Sequence, residues 1–212
     1  MACALCETRR PRRYCPGIRG EICTMCCGTE REMTVDCPPD CEFLLEARKH
    51  DKPVPLDATA IPNQDIRVTE ELVAENEGLV LHLADALVTA AEATPSVVDF
   101  DAREALDAAI RTYRTRESGL YYESRPGNLL AAGLARALLD GAEEFRREET
   151  ERLGMSRTRD SAVLGVLVFL QHFELDRNNG RRRGRGFLHA LQLLYPSGSD
   201  GESAGTSSLV LP

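Results

Sequence analysis

Eight cysteines, all within the first 41 residues, constrain the fold of this 212-residue chain more than any other feature. The rest of the chain contains none. The cysteines form two C-x-x-C pairs, two single thiols and one C-x-x-x-C pair: Cys3/Cys6, Cys15, Cys23/Cys26, Cys27 and Cys37/Cys41. Thiols this dense have two common physical causes, disulfide bonds and metal coordination.

Disulfide bonds are the weaker interpretation, because they persist in oxidising compartments. Secretion requires an N-terminal signal with a basic region and an apolar run, whereas this chain begins Met1-Ala2-Cys3 and no apolar run follows. No stretch reaches the roughly 18 apolar residues of a membrane span. We therefore expect a cytoplasmic protein that does not enter a membrane.

Metal coordination is the stronger interpretation. Two C-x-x-C pairs joined by a short loop are typical of a tetrahedral zinc site, and 16 residues separate Cys6 from Cys23. Four thiolates fill the coordination shell of Zn²⁺ and leave no position for water, which predicts a structural site. The residues alone do not exclude iron.

The remaining thiols suffice for a second four-thiolate site in an interleaved order: Cys15, Cys27, Cys37 and Cys41. The sequence leaves open whether the chain binds one zinc or two. It also leaves open which of Cys26 and Cys27 belongs to which site.

Apolar residues between the cysteines are few, and so short a segment rarely builds a sufficient core alone. We expect the metal-free protein to lose this module and keep the rest.

The interleaved order is similar to that of cross-brace fingers of the RING, MYND and HIT types, in which Tyr-Cys-Pro often opens the second knuckle, as at residues 14–16. Cys27 would replace the ligand that those fingers have at the position of Ile18 here. The motifs Tyr-Cys-Pro, Ile-Cys-x-x-Cys-Cys-Gly-Thr-x-Arg-Glu and Cys-Pro-x-x-Cys, followed by a helical body, also resemble an uncharacterised bacterial family. That resemblance implies a zinc-binding module and no activity.

Beyond the cysteines the pattern of apolar residues predicts helices almost without interruption. A short helix, 41–49, leaves the module. Longer helices follow at 69–95, 101–118, 128–153, 160–175 and 187–195. We predict an all-α fold, a helical bundle of four to five helices preceded by a small cysteine-rich zinc module. The predicted domains are the module (1–49), a proline-containing linker (50–67), the bundle (68–196) and a disordered tail (197–212).

Two arginine clusters and one aromatic loop are further candidate sites. The net charge of −8 argues against bulk attraction to nucleic acid, but either cluster can contact phosphate or simply be solvated. The clusters are Arg9, Arg10, Arg12 and Arg13, and Arg181, Arg182, Arg183 and Arg185. The loop 119–127 carries Tyr121, Tyr122, Glu123 and Arg125. It is either a recognition surface or a segment whose tyrosine fills the core while Glu123 and Arg125 pair.

The sequence shows no nucleophile–base pair, no phosphate-binding glycine loop and no open metal site. The histidines, at positions 50, 82, 172 and 189, have no partner at a spacing that demands catalysis. We therefore predict a non-enzymatic zinc protein that binds another protein as an interaction or regulatory adaptor. The alternative is a nucleic-acid-associated regulator that uses both arginine clusters. A third class, a hydrolase, requires a cleft where Glu123, Arg125 and a histidine converge.

Overall fold

The structure is a computed structural model that describes residues 2–50 and 61–194. Most of the predicted linker, and all of the predicted tail, lie outside the described residues. Among the described residues, no helix combines the length and apolar character that crossing a membrane requires.

The N-terminal segment, called the finger here (residues 2–50), contains a two-stranded ribbon and two short helices. Strands β1 (Arg13–Cys15) and β2 (Gly20–Ile22) pair antiparallel. Helix α1 (Thr24–Glu30) follows the ribbon directly, and α2 (Glu42–Arg48) follows the last cysteine. The prediction of a helix at 41–49 is confirmed. Three-residue strands are too short to show an alternating pattern, which is why the sequence did not reveal the ribbon.

The rest of the described chain, called the body (residues 61–194), is helical and confirms the all-α prediction. Its helices are α3 (Glu70–Glu75), α4 (Glu77–Glu92), α5 (Asp99–Glu117), α6 (Leu129–Leu153), α7 (Asp160–Arg177) and α8 (Gly186–Leu194). Helix α7 lies at the centre and contacts α3, α4, α5 and α8. Its segment 163–171 is buried on every side, as its apolar sequence predicts.

Capping side chains set the helix boundaries. Thr69 caps α3 as predicted, because its hydroxyl accepts a hydrogen bond from the Leu72 amide at 3.1 Å. Helix α5 begins two residues before the predicted cap at Asp101. The Asp101 carboxylate accepts from the Val98 amide at 2.9 Å, so this residue caps the helix from its third position. The helix predicted at 69–95 is interrupted at Asn76, where α3 ends and α4 begins.

Two buried carboxylates join α5 to the helices on either side of the loop 178–186: Asp99 joins it to α8, and Glu174 joins it to α7. The Asp99 carboxylate accepts from the amides of Phe187 at 3.0 Å and Leu188 at 3.1 Å. Burial raises the pKa of Asp99 to about 7, although both amides favour its charged form. Glu174 on α7 is fully buried and accepts two hydrogen bonds from the guanidinium of Arg103 on α5. These contacts position the loop 178–186 at one end of the body.

The finger and the body have separate buried cores, and a buried carboxylate joins them. Glu32 is only 1% exposed. Its carboxylate accepts from the Arg48 guanidinium at 3.0 Å, the Asn179 side-chain amide at 2.8 Å and the Arg185 backbone amide at 3.3 Å. The Glu32 carbonyl also accepts from the Arg183 amide at 2.7 Å. We call this set of contacts the Glu32 junction.

Two arginines of the second cluster bridge the finger and the body. The Arg181 guanidinium donates to the carbonyl of Arg31 at 2.5 Å. The Arg185 guanidinium donates to Asp36 at 2.8 Å in the finger and to the carbonyls of Val97 and Pro95 at 2.8 Å in the body. These two side chains are therefore occupied within the chain, and their role here is to attach the finger to the body.

We predict that Glu32→Ala destabilises the protein by about 3 kcal/mol, because it leaves the Arg48 charge largely buried without its carboxylate partner. Urea denaturation measures the change. Glu21→Ala is the matched control, since Glu21 is exposed on β2 and its removal should change stability by less than about 0.5 kcal/mol. Equal stabilities for the two variants would contradict a structural role for the junction.

Candidate metal centre

The finger folds so that four thiols meet at one point. They are the two predicted C-x-x-C pairs, called the first quartet: Cys3, Cys6, Cys23 and Cys26. Their sulfur atoms all lie within 4.8 Å of one another. Four sulfurs around one Zn²⁺ at about 2.3 Å would be about 3.8 Å apart, so a small inward movement completes a tetrahedral shell. Within the described residues, no other group of three or more metal-binding side chains is this compact.

The ribbon and α1 bring the two pairs together. The Ala4 amide donates to the carbonyl of Glu21 at 2.9 Å, which holds the first pair against β2. Cys23 follows β2 and is the N-cap of α1, where its sulfur accepts from the Cys26 amide at 3.4 Å. The Cys23 amide in turn donates to the Cys3 sulfur at 3.2 Å. Backbone amides therefore already point at the sulfurs that a metal would hold.

The structure also separates two neighbouring cysteines. Cys26 belongs to the first quartet, whereas Cys27 lines a separate cavity with Cys15, Cys37 and Cys41. Successive residues on an α-helix point about 100° apart, so adjacent cysteines on α1 face different groups. None of the eight cysteines forms a disulfide bond.

The ionisation of the first quartet reflects crowding of like charges. Burial opposes ionisation of Cys3, but the backbone amides that donate to its sulfur outweigh this and lower its pKa to about 6. The Cys23 sulfur beside it, and burial, raise the pKa of Cys26 to about 12. Without a cation, the quartet therefore keeps at least one proton at neutral pH. A divalent ion reverses this balance, because it stabilises all four thiolates.

Each group of thiols has an arginine of the first cluster beside it. The Cys23 thiolate raises the pKa of the Arg9 guanidinium. The Arg13 guanidinium donates to the Cys27 sulfur at 3.5 Å. Two of the four arginines therefore lie against cysteine sulfurs, while Arg10 and Arg12 are exposed and their side chains make no hydrogen bond or ion pair with the described residues.

The aromatic loop does not contribute to the body core. Tyr121 and Tyr122 are 92% and 67% exposed, so the alternative in which a tyrosine fills the core is wrong. The other half of that alternative is right, because Arg125 and Glu123 pair at 3.3 Å. The histidines have other neighbours: His82 packs on the ring of Phe145, and the His172 ring nitrogen lies 2.9 Å from the Pro62 carbonyl. They do not converge with Glu123 and Arg125.

Sequence reasoning missed the residues of the Glu32 junction. A glutamate is exposed by default, and nothing local marks this one as buried. The available signal was the loop 181–185, whose excess of arginine matches the need for donors at the finger.

Comparisons of the chain with models of protein families, with curated protein sequences and with solved structures found no match.

We predict that the affinity of the first quartet for Zn²⁺ rises with pH between 6 and 8. Because the pKa of Cys26 lies far above this range, its proton must leave when the metal binds. Each proton released makes binding about tenfold tighter per pH unit. Competition with a chromophoric chelator, corrected for the chelator's own protonation, measures the slope. An affinity that does not change with pH would show that the metal-free quartet is already fully ionised.

Proposed function

We propose that this is a cytoplasmic, non-enzymatic zinc protein whose finger is structural and whose activity is to bind another protein. The first quartet carries the proposal. Four cysteine sulfurs close the coordination shell of a metal ion, and three of them are nearly inaccessible to solvent: Cys3, Cys23 and Cys26. A closed, buried shell offers no position for substrate or activated water.

Zinc is the metal that best fits this donor set. Soft thiolates in a tetrahedral arrangement favour zinc or iron–sulfur centres over calcium, magnesium or manganese. The four sulfurs lie within 4.8 Å of one another, the spacing of a site for a single ion, and a closed shell of four cysteines is a common structural zinc site. The free thiols fit a reducing compartment, which supports the cytoplasm as the location.

The exposed aromatic loop supports protein binding. Leu120, Tyr121 and Tyr122 are all more than 60% exposed, and tyrosine is enriched where proteins bind one another. The backbone of this loop is held in place, because the Tyr122 carbonyl accepts from Thr115 at 3.0 Å. A surface that is ordered before binding loses little conformational entropy when the partner docks.

Nucleic-acid binding remains the alternative, with fewer arginines than the sequence suggested. Arg9 and Arg13 lie beside thiols, and Arg181 and Arg185 join the finger to the body. Arg183 lies 3.7 Å from Asp36. Among the described residues of the two clusters, the basic side chains that make no hydrogen bond or ion pair are Arg10, Arg12 and Arg182. A hydrolase is less well supported still, since Glu123 and Arg125 pair with each other away from the histidines.

We predict that Co²⁺ bound in place of the native metal gives an intense tetrahedral cobalt–thiolate absorption spectrum that azide does not change. A closed shell has no position for an added ligand. Cys6→Ala, which opens one position in the first quartet, is the positive control and should respond to azide. A spectral response of the unaltered protein would indicate an open coordination site and favour catalysis.

We predict that a photoreactive amino acid in place of Tyr121 forms a cross-link to a defined protein partner in the cells that produce this chain. Unlabelled protein should compete for the cross-link, whereas the Tyr121→Ser/Tyr122→Ser variant should not. The control is the same photoreactive residue in place of Met155, an exposed apolar position after α6. Equal cross-linking from both positions, or competition by the double variant, would contradict a role for the loop.

A further inference from the structure

The four cysteines outside the first quartet share one cavity. We call them the second quartet: Cys15, Cys27, Cys37 and Cys41. They come from the end of β1, from α1, from the loop after α1 and from the N-cap of α2. Apolar and aromatic side chains and two arginines, Arg13 and Arg31, complete the lining of the cavity. The cavity has a volume of about 20 Å³, which is room for one water-sized sphere or one ion.

The four thiols of the second quartet are wholly or partly buried, although they are not bonded to one another. Cys15 and Cys37 are each only 8% exposed, and Cys27 and Cys41 are half-buried. The second quartet contains no disulfide bond. A core that needs only apolar filling does not require four thiols around one small void. Four thiolates around a void of this size are the usual donor set for zinc.

The polar surroundings of the second quartet match those of the first. The Arg13 guanidinium lies 3.5 Å from the Cys27 sulfur and stacks over the Phe43 ring at 4.3 Å from its centre. In the first quartet the Arg9 guanidinium lies beside the Cys23 sulfur. Four thiolates around one divalent ion carry a net charge of −2, and a fixed guanidinium beside each group offsets part of it.

The backbone around the second quartet is held from both sides. Gly17 at the tip of the ribbon lies so close to the next segment that a Cβ there would be 2.5 Å from the Asp36 carbonyl. This contact brings Cys15 towards Cys37. The Cys37 carbonyl accepts from the Arg185 guanidinium of the body at 3.3 Å, so the site lies beside the Glu32 junction. The chain thus holds the four positions together through contacts that involve no metal.

We propose that the second quartet binds a second ion, Zn²⁺, through four thiolates, beyond the single ion that the proposed function requires. No three of its sulfurs are as close together as those of the first quartet. Binding therefore draws the sulfurs inward onto the cavity, to about the 3.8 Å separation of a tetrahedral zinc–thiolate site. The two sites interleave along the chain, so the first ion would close a loop that contains Cys15, and the second a loop that contains Cys23 and Cys26.

Measurements on the unaltered protein test whether the second quartet binds an ion. Protein produced without added metal is analysed for metal content per chain, then treated with iodoacetamide under native conditions and mapped by peptide mass. The proposal expects two zinc ions per chain and protection of all eight thiols. One zinc per chain with alkylation of the second quartet would overturn it and leave the first site intact. Disulfide bonds within the second quartet, or iron in that site, would overturn it as well.

Two adjacent substitutions on α1 then assign the ions. Cys27→Ser should lose one zinc and expose the second quartet to iodoacetamide, whereas Cys26→Ser should lose one zinc and expose the first quartet. Both variants change one sulfur to oxygen on the same helix, so each is the matched control of the other. If Cys27→Ser retained two ions, the second site would be refuted. If Cys26→Ser retained two ions, the first site, and with it the proposed function, would fail instead.

Discussion

Mutual repulsion between thiolates is the constraint on which the finger depends. The buried core of this segment consists largely of cysteine, with Ile22, Val35 and Leu44 as its other fully buried apolar side chains. So little apolar surface cannot offset the conformational entropy of about 50 ordered residues. Sulfurs crowded within 4.8 Å add repulsion if they ionise without a cation. A metal ion bound by the first quartet would convert this unfavourable cluster into the strongest attraction in the finger.

The Glu32 junction places the finger on the body in one orientation. A buried ion pair contributes little net stability, because the two charges must give up their hydration. A buried charge costs stability, however, when any of its hydrogen-bond donors is lost. A finger rotated against the body would keep the Glu32–Arg48 pair, which lies within the finger, but the buried carboxylate would lose the donors that the body supplies, the Asn179 side-chain amide and the Arg185 backbone amide. We therefore attribute to the junction the selection of one docking geometry, while the large apolar core stabilises the body.

Prediction from sequence succeeded where a signal is local and periodic. The long helices follow from apolar spacing, and the first quartet follows from two C-x-x-C pairs. The assignment of Cys26 and Cys27 depends on how α1 is rotated about its axis, which no local pattern records. The sequence also does not distinguish an arginine cluster that binds the phosphates of a partner from one that joins two parts of the chain, because a guanidinium donates equally well to a phosphate and to a backbone carbonyl. Only the tertiary structure shows that Arg181 and Arg185 have carbonyl and carboxylate partners inside the chain.

Internal use of the arginines bears directly on how such a chain can recognise a partner. A protein with net charge −8 attracts polyanions only through a concentrated basic patch. Here five of the eight arginines in the two clusters already have thiol, carbonyl or carboxylate partners within the described chain, namely Arg9, Arg13, Arg181, Arg183 and Arg185. Recognition of a partner through shape and apolar contact does not require a basic patch. The loop at Tyr121 and Tyr122 offers aromatic surface on a backbone anchored to α5, where the Ser124 amide donates to the Thr112 hydroxyl at 2.9 Å. The distribution of charge and aromatic surface therefore favours a protein partner over a nucleic acid.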